Sequence, residues 1–290
     1  MKPQQGIYWL ASYPKSGNTW LRMFLSNLQK DQDIPVDIND SEGFTSEIAS
    51  SRWWIDDVLG FDTADLYPDE VNDLRPEVYQ WSATLQPGVT YHKIHDAYLC
   101  RADGTPLVSQ EATLGAVYIV RNPLDVVTSA ANHWHCSVDQ AITHMGNREV
   151  RFARSHHKLA QQLEQRLLDW SGHVVSWIDA PDLSCLVIRY EDLLQNASQT
   201  FARVARFLNL TDEPRRVDKA IRFSSFHELS RQEAEKNFRE KPHHMARFFN
   251  QGRSGVWREQ LTHEQVNRIV TDHGIVMGRL GYLDRSGNPL

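Results

Sequence analysis

The sequence predicts an α/β fold, one domain over residues 1–290 with a mostly parallel central sheet flanked by helices and a P-loop-like anion-binding loop. Three observations predict it. Apolar runs at residues 7–11, 89–94, 116–120 and 186–188 are continuous instead of alternating, as in strands buried on both faces. Helical or irregular sequence separates each run from the next, the alternation that builds a helix-covered parallel sheet. No internal repeat, low-complexity tract or linker rich in Pro, Gly and Ser divides the chain.

The first strand passes through a Gly-containing turn into a helix that starts near Thr19 and carries Leu21, Phe24, Leu25 and Leu28. Residues 89–94 form the weakest of the four strands, and the third leads through Arg121-Asn122-Pro123 into another helix. Residues 161–178 set Leu163, Leu167, Trp170, Val174 and Trp177 at three- and four-residue spacing, which predicts one amphipathic helix. After the fourth strand a helix is predicted beyond Tyr190-Glu191-Asp192, with Phe201, Val204, Phe207 and Leu208 on it. Thr262-His263-Glu264-Gln265 reads as a capping box opening a last helix through Ile269 and Val270. Segment 231–247, rich in both charge signs and in His, reads either as a solvated, mobile stretch or as a lid that orders on binding.

Over 290 residues, 31 Lys and Arg face 37 Asp and Glu, a formal charge of −6 with His neutral. Sequence-independent attachment to nucleic acid rests on excess Lys and Arg, so nucleic acid is not expected as a partner. With 41% hydrophobic and 23% charged residues, the chain can bury a core. It opens on no basic-then-apolar leader and holds no run of about 18 apolar residues, so no membrane partner is expected. Cys100, Cys136 and Cys185 have no paired spacing, which argues against a disulfide framework and for a reducing, cytoplasmic location.

In sheets of this kind ligands collect beyond the carboxyl ends of the strands. The first strand is followed by Tyr13-Pro14-Lys15-Ser16-Gly17-Asn18-Thr19-Trp20. A Gly-containing turn there exposes backbone N–H groups and a helix N-terminus to an anion, and Lys and hydroxyls add donors. It is not the GxxxxGK[ST] motif, because Lys15 precedes Gly17; alone, the same residues also suit a surface turn with a helix cap. The second strand ends in Lys93-Ile94-His95, the third in Arg121-Asn122-Pro123, with Ser129 eight residues after Arg121. Arg offers a bidentate fork and Ser a hydroxyl, so this pair can hold a second anionic group, or Arg121 can simply pair with Asp125.

Taken together these residues resemble the sulfotransferases that use 3′-phosphoadenosine 5′-phosphosulfate (PAPS). Residues 13–20 are similar to that family's 5′-phosphosulfate loop, YPKSGTTW, with Asn18 in place of one Thr. Residues 121–129 are similar to its 3′-phosphate motif, RNPxDVxxS, and residues 252–258 to its late GxxGxW segment. The resemblance implies a P-loop-like phosphosulfate-binding loop in which Lys15, Ser16, Gly17, Asn18 and Thr19 hold the 5′-phosphosulfate. Arg121 and Ser129 would hold the 3′-phosphate, and Trp20, Tyr190 and Phe226 the adenine. His95 matches the general base in the family's KTH, a task that suits an imidazole with a pKa near neutrality. Lys15 would neutralise charge on the bridging oxygen, Lys93 would steady the sulfuryl oxygens, and Ser129 would contact Lys15 before the acceptor binds. The implied reaction is direct in-line transfer to a hydroxyl of a small molecule or natural product, with PAP as the product and no metal.

Two further departures stand out. Where many members have Arg-Lys-Gly, this chain has Asn250-Gln251-Gly252, which makes Arg253, with Gly252 and Ser254, the candidate replacement at the 3′-phosphate. The family's short dimer motif is absent, so the oligomeric state is left open. The opening residues look most like bacterial sulfotransferases of natural products. His133-Trp134-His135-Cys136, His156-His157 and His243-His244 lack a zinc spacing such as HExxH. Residues 37–81 hold Trp53, Trp54, Phe61, Tyr67, Tyr79 and Trp81, some for the core and others for an acceptor pocket. Two other readings are a P-loop nucleotide kinase, which lacks its Lys after the Gly run, and a nucleotide-binding protein of the same fold without turnover.

Overall fold

The computed structural model describes residues 5–40, 48–85, 87–101, 103–153 and 160–290. In chain order the elements are β1 (Gly6–Ser12), α1 (Asn18–Lys30), α2 (Arg52–Leu59), α3 (Pro68–Leu85), β2 (Val89–Ile94), β3 (Thr113–Val120), α4 (Pro123–Trp134) and α5 (Val138–Met145). Then follow β4 (Arg151–Phe152), β5 (Gln165–Arg166), α6 (Trp170–Ile178), β6 (Cys185–Arg189), α7 (Tyr190–Gln195), α8 (Ala197–Phe207), α9 (Pro214–Phe223), α10 (Phe226–Lys236), α11 (Trp257–Gln260) and α12 (His263–Arg279).

The central sheet has the order β2-β1-β3-β6 and is parallel throughout, so the ends of all four strands open on one edge. Its residues alternate between two cores. Ile7, Trp9 and Ala11 of β1 join Ala116, Tyr118 and Val120 of β3 against α2, α3, α4 and α6. Tyr8, Leu10, Val117 and Ile119 face α1, α8 and α9 through Phe24, Phe201 and Val217. Both faces are buried, which is why the strands read as unbroken apolar runs.

The predicted helix over residues 161–178 is only half formed. Leu168 takes a left-handed φ of 60° and Asp169 caps α6 by accepting from Gly172 N, so the helix begins at Trp170. Leu163 and Leu167 are buried all the same, on an extended segment whose Gln165–Arg166 pairs antiparallel with β4. The helix predicted beyond Tyr190-Glu191-Asp192 begins at Tyr190 itself and breaks at Asn196 into α7 and α8. The capping box at Thr262 is formed with Gln265 and opens α12 as predicted.

Segment 231–247 is exposed at most of its charged and His residues, as the solvated reading expects, yet it is anchored at buried points. Its first part completes α10, and Phe238 and Met245 are buried beyond it. Glu233 accepts from the backbone N–H groups of Phe248 and Phe249 at 2.6 and 2.9 Å and so pins the segment to α10. Of the aromatics in residues 37–81, Trp54 and Tyr79 are core, while Trp53, Phe61, Tyr67 and Trp81 are exposed. No helix among the described residues is long and apolar enough to cross a membrane.

Candidate active site

At the carboxyl edge of the sheet lies a cavity of about 840 Å³, within the range of small-molecule and cofactor sites. It is lined by Lys15, Gly17, Asn18, Thr19 and Trp20 from the first strand end, Lys93 and His95 from the second, and Arg121 and Ser129 from the third. Tyr190, Phe226 and Gly252 complete this part of the wall. The structure thus brings to one cavity most residues singled out in the sequence, from strands that parallel pairing places side by side.

The first loop is shaped to present backbone donors. Lys15 and Gly17 both have left-handed φ angles, 68° and 106°, and Gly17 caps α1 without a side chain. A Cβ on Gly17 would stand 2.7 Å from the Tyr190 ring, so only glycine lets the loop lie against it. The first turn of α1 carries no acidic residue, which leaves its positive end to an anion. Asn18 donates to Leu10 O at 2.8 Å and Ser12 Oγ at 3.3 Å, tying the start of the helix back onto β1. Ser16 Oγ is buried with no partner, as are Trp20 Nε1 and Arg121 Nε. Buried polar atoms are rarely left unpaired; Ser16 does not line the cavity, and the Trp20 and Arg121 atoms, on residues that do, are what a polar ligand there would satisfy.

Lys15 carries a pKa pushed down to about 8 by its burial, with the nearby Lys93 and Arg121 adding to the effect. Its Nζ lies 4.0 Å from the centre of the Phe248 ring, not on Ser129. Arg121 is buried, with its guanidinium 4.4 Å from the Tyr190 ring centre, and it donates to Lys15 O at 3.3 Å and Arg253 O at 3.1 Å. Trp20 meets Tyr190 edge to face at 5.8 Å. Phe226 sits at the start of α10, over Gly252, where a Cβ would fall 2.3 Å from its ring.

His95 donates from Nδ1 to Ser12 O at 2.8 Å. A carbonyl only accepts, so the proton is on Nδ1 and the lone pair on Nε2. Burial holds its pKa well below the usual value and Lys93 lowers it further, which keeps the ring neutral. The main chain at this point is fixed on both sides. His173 Nε2 donates to His95 O at 3.0 Å, and Tyr118 OH meets His173 Nδ1 at 2.8 Å. Next to it, Asp96 takes both Arg75 nitrogens, at 3.1 and 2.7 Å, in a pair almost wholly buried.

Arg253 and Ser254 are not among the cavity residues. The Arg253 guanidinium turns outward to Glu259, at 2.8 and 3.0 Å, and both side chains are more than half exposed. Only its backbone carbonyl reaches the site, through Arg121. None of the six aromatics from residues 37–81 lines the cavity either; its other wall comes from Phe152, Gln162, Gln165, Met245 and Phe248.

Two residues with a role here, Arg22 and Glu240, went unread in the sequence, and Asp125 was weighed only as a partner for Arg121. Asp125 does not pair with Arg121: its carboxylate accepts from Gly255 N at 2.7 Å and Trp257 N at 3.0 Å, locking the late segment onto α4. Its place in a motif together with the GxxGxW segment was the available signal. Arg22 and Glu240, discussed below, had none beyond Arg22 lying one turn past Asn18 on α1. His133 also faces the cavity, with its pKa pushed down to about 3 by burial and by Lys15 and Lys93, and is therefore neutral. No group of three or more metal-binding side chains occurs among the described residues, and His156-His157 lies outside them.

The family model of the sulfotransferase domain matches residues 7–279. Sulfotransferase 2A6 of Rattus norvegicus is 23% identical over 263 residues, 87% of this chain and 78% of its own length. Flavonol 3-sulfotransferase of Flaveria bidentis is also 23% identical, over 90% of this chain and 78% of its own. Among solved structures, a mouse sulfotransferase, SULT7A1, complexed with PAP superposes with a TM-score of 0.59 at 17% identity, covering 99% of this chain and 88% of its own. Retinol dehydratase in a complex with retinol and PAP gives 0.60 at 16% identity, with 95% and 82% covered. On the match across almost its whole length, this chain belongs to the sulfotransferase domain family.

Proposed function

We propose that the protein transfers the sulfuryl group of PAPS to a hydroxyl of a small, uncharged acceptor. The single observation that carries this reading is the meeting, in one cavity, of an anion-binding loop, two lysines, an arginine and a neutral histidine with Nε2 unpaired. PAPS would supply an activated sulfuryl group and a nucleotide leaving group. The orphaned Arg121 atom and the cationic lining fit such a polyanion. Lys15 and the first turn of α1 hold its phosphosulfate, Arg121 and Ser129 its 3′-phosphate, and Trp20, Tyr190 and Phe226 its base. His95 Nε2 takes the acceptor's proton, while Lys15 and Lys93 offset charge on the bridging and sulfuryl oxygens. As in phosphoryl transfer, positioning and charge stabilisation carry most of the rate.

Phe152, Phe248 and Met245, with the amides of Gln162 and Gln165, form an acceptor wall that is apolar with a few polar anchors. Such a wall favours a neutral hydroxylated molecule, natural products included, over a large acidic one. We further propose one domain over residues 1–290 and a cytoplasmic location. The test is a panel of hydroxylated acceptors incubated with radiolabelled PAPS in excess EDTA. Label should appear in an acceptor, whereas transfer from ATP alone, lost in EDTA, would replace this reading with a nucleotide kinase. Binding of PAP with no transfer to any acceptor would make the protein a binder without turnover.

A further inference from the structure

Among the cations of the cavity sit two carboxylates, Asp125, spent on backbone N–H groups of the late segment, and Glu240. Glu240 lines the cavity, accepts from Arg22 Nη1 at 2.7 Å and from Lys93 Nζ at 3.0 Å, and is about one-quarter exposed. Arg22 and Lys93 are more deeply buried, at 9% and 12% side-chain exposure. Both oxygens are therefore committed to cations of the protein itself, which leaves this carboxylate poorly placed to attract a cationic acceptor.

The charged and titratable groups around Lys93 come from every element packed against it. Lys15 faces it from the loop after β1, Arg22 from α1, His95 from the end of β2 and His133 from α4. Two of these are cations, and the two histidines are neutral. Glu240, on the segment after α10, is the only carboxylate facing Lys93 among the described residues. Burial and Arg22 both push the Lys93 ammonium toward losing its proton, and Glu240 alone opposes them. An ammonium has three donors; with one on Glu240, the others are free for a ligand. Arg22 in turn fixes the carboxylate, so the direction of the Lys93–Glu240 bond is set by α1.

We propose that Glu240, braced by Arg22, is a positioning residue that keeps the Lys93 ammonium charged and aimed at the transferring sulfuryl group. The proposal rests on the sulfotransferase reading of Lys93. It is tested with protein carrying lysine labelled with carbon-13 at Cε, the Lys93 signal being identified by its loss in Lys93→Met. In Glu240→Gln the Lys93 titration should move at least about one pH unit lower, and the alkaline limb of kcat should follow it by the same amount. Glu240→Asp should restore part of both shifts, and Arg22→Met, which removes a cation facing Lys93, should move its titration the opposite way, to higher pH. PAP, which has no sulfuryl group to meet Lys93, should bind Glu240→Gln within about threefold of wild type. A Lys93 titration unchanged in both Glu240→Gln and Arg22→Met overturns the proposal, and so does one that moves while the kcat limb stays in place. A wild-type protein that transfers nothing from PAPS overturns the functional reading itself, a result distinct from an active Glu240→Gln enzyme with an unmoved limb.

Discussion

The chemistry of the site is decided by how burial sets the charge of two side chains. His95 is neutral because it is buried beside Lys93, and its tautomer is dictated by the Ser12 carbonyl. Replacing it with Ala should abolish transfer while PAP affinity, read by calorimetry, stays nearly unchanged; an active His95→Ala enzyme would remove it as the base. Lys15, with a pKa near 8, is mostly charged at neutral pH and loses its proton as pH rises through that value. An anion bound beside it would favour the charged form, so on the proposed reading PAP affinity should be level below about pH 7. Above about pH 8 it should fall, approaching tenfold per unit. In Lys15→Met the affinity should be weaker and the slope reduced, and an unchanged slope would place the titrating group elsewhere. At this scale the sequence was largely legible, because Lys15, Lys93, His95 and Arg121 lie within a few residues of strand ends and Ser129 on the second turn of the helix after the third. Arg253 was misplaced since its side-chain direction depends on Glu259 six residues on, a partner that no motif encodes.

Elements are held to one another by carboxylates that accept backbone N–H groups. Asp125 joins α4 to the late segment, Glu233 joins α10 to the stretch before it, and Glu191 accepts from Asn122 N and Tyr282 OH at 3.0 and 2.9 Å. Asp125→Asn replaces one of the two acceptors of a charge-assisted pair with a donor. It should weaken PAP binding by about 1 to 3 kcal/mol, the worth of hydrogen bonds to a charged group. It should also speed proteolysis within residues 250–257. Unchanged affinity and cleavage would show that the late segment is held without Asp125. The four strands were legible from apolar runs, since both faces of the sheet are covered. The break at Leu168 was not: the burial of Leu163 and Leu167 on an extended chain imitates a helical stripe, and periodicity cannot separate the two. In segment 231–247 the solvated reading fits most of the charges and misses Glu233 and Glu240, which are spent on internal partners.

For the molecule as a whole, the net charge of −6 describes the outer surface and says little about a cavity that gathers Lys15, Lys93 and Arg121 from distant parts of the chain. The Arg75–Asp96 pair sets the cost of keeping that edge of the sheet in place. Asp96→Ala leaves a buried guanidinium without its partner and should lower the unfolding free energy by about 3 to 5 kcal/mol, measured in urea. A loss under about 1 kcal/mol would mean that water reaches Arg75 and that the pair is not truly dry.

On the reading proposed above, the donor side of the cavity comes mostly from strand ends and the turns and helices leaving them, while the acceptor side comes from β4, β5 and the segment after α10, none of which belongs to the central sheet. The segment after α10 also carries Glu240, which holds Lys93, so β4 and β5 are the part of the acceptor side open to grafting. Loops can be exchanged on one side to retune the range of alcohols accepted, with the sheet edge that handles the nucleotide left untouched as a reusable chassis.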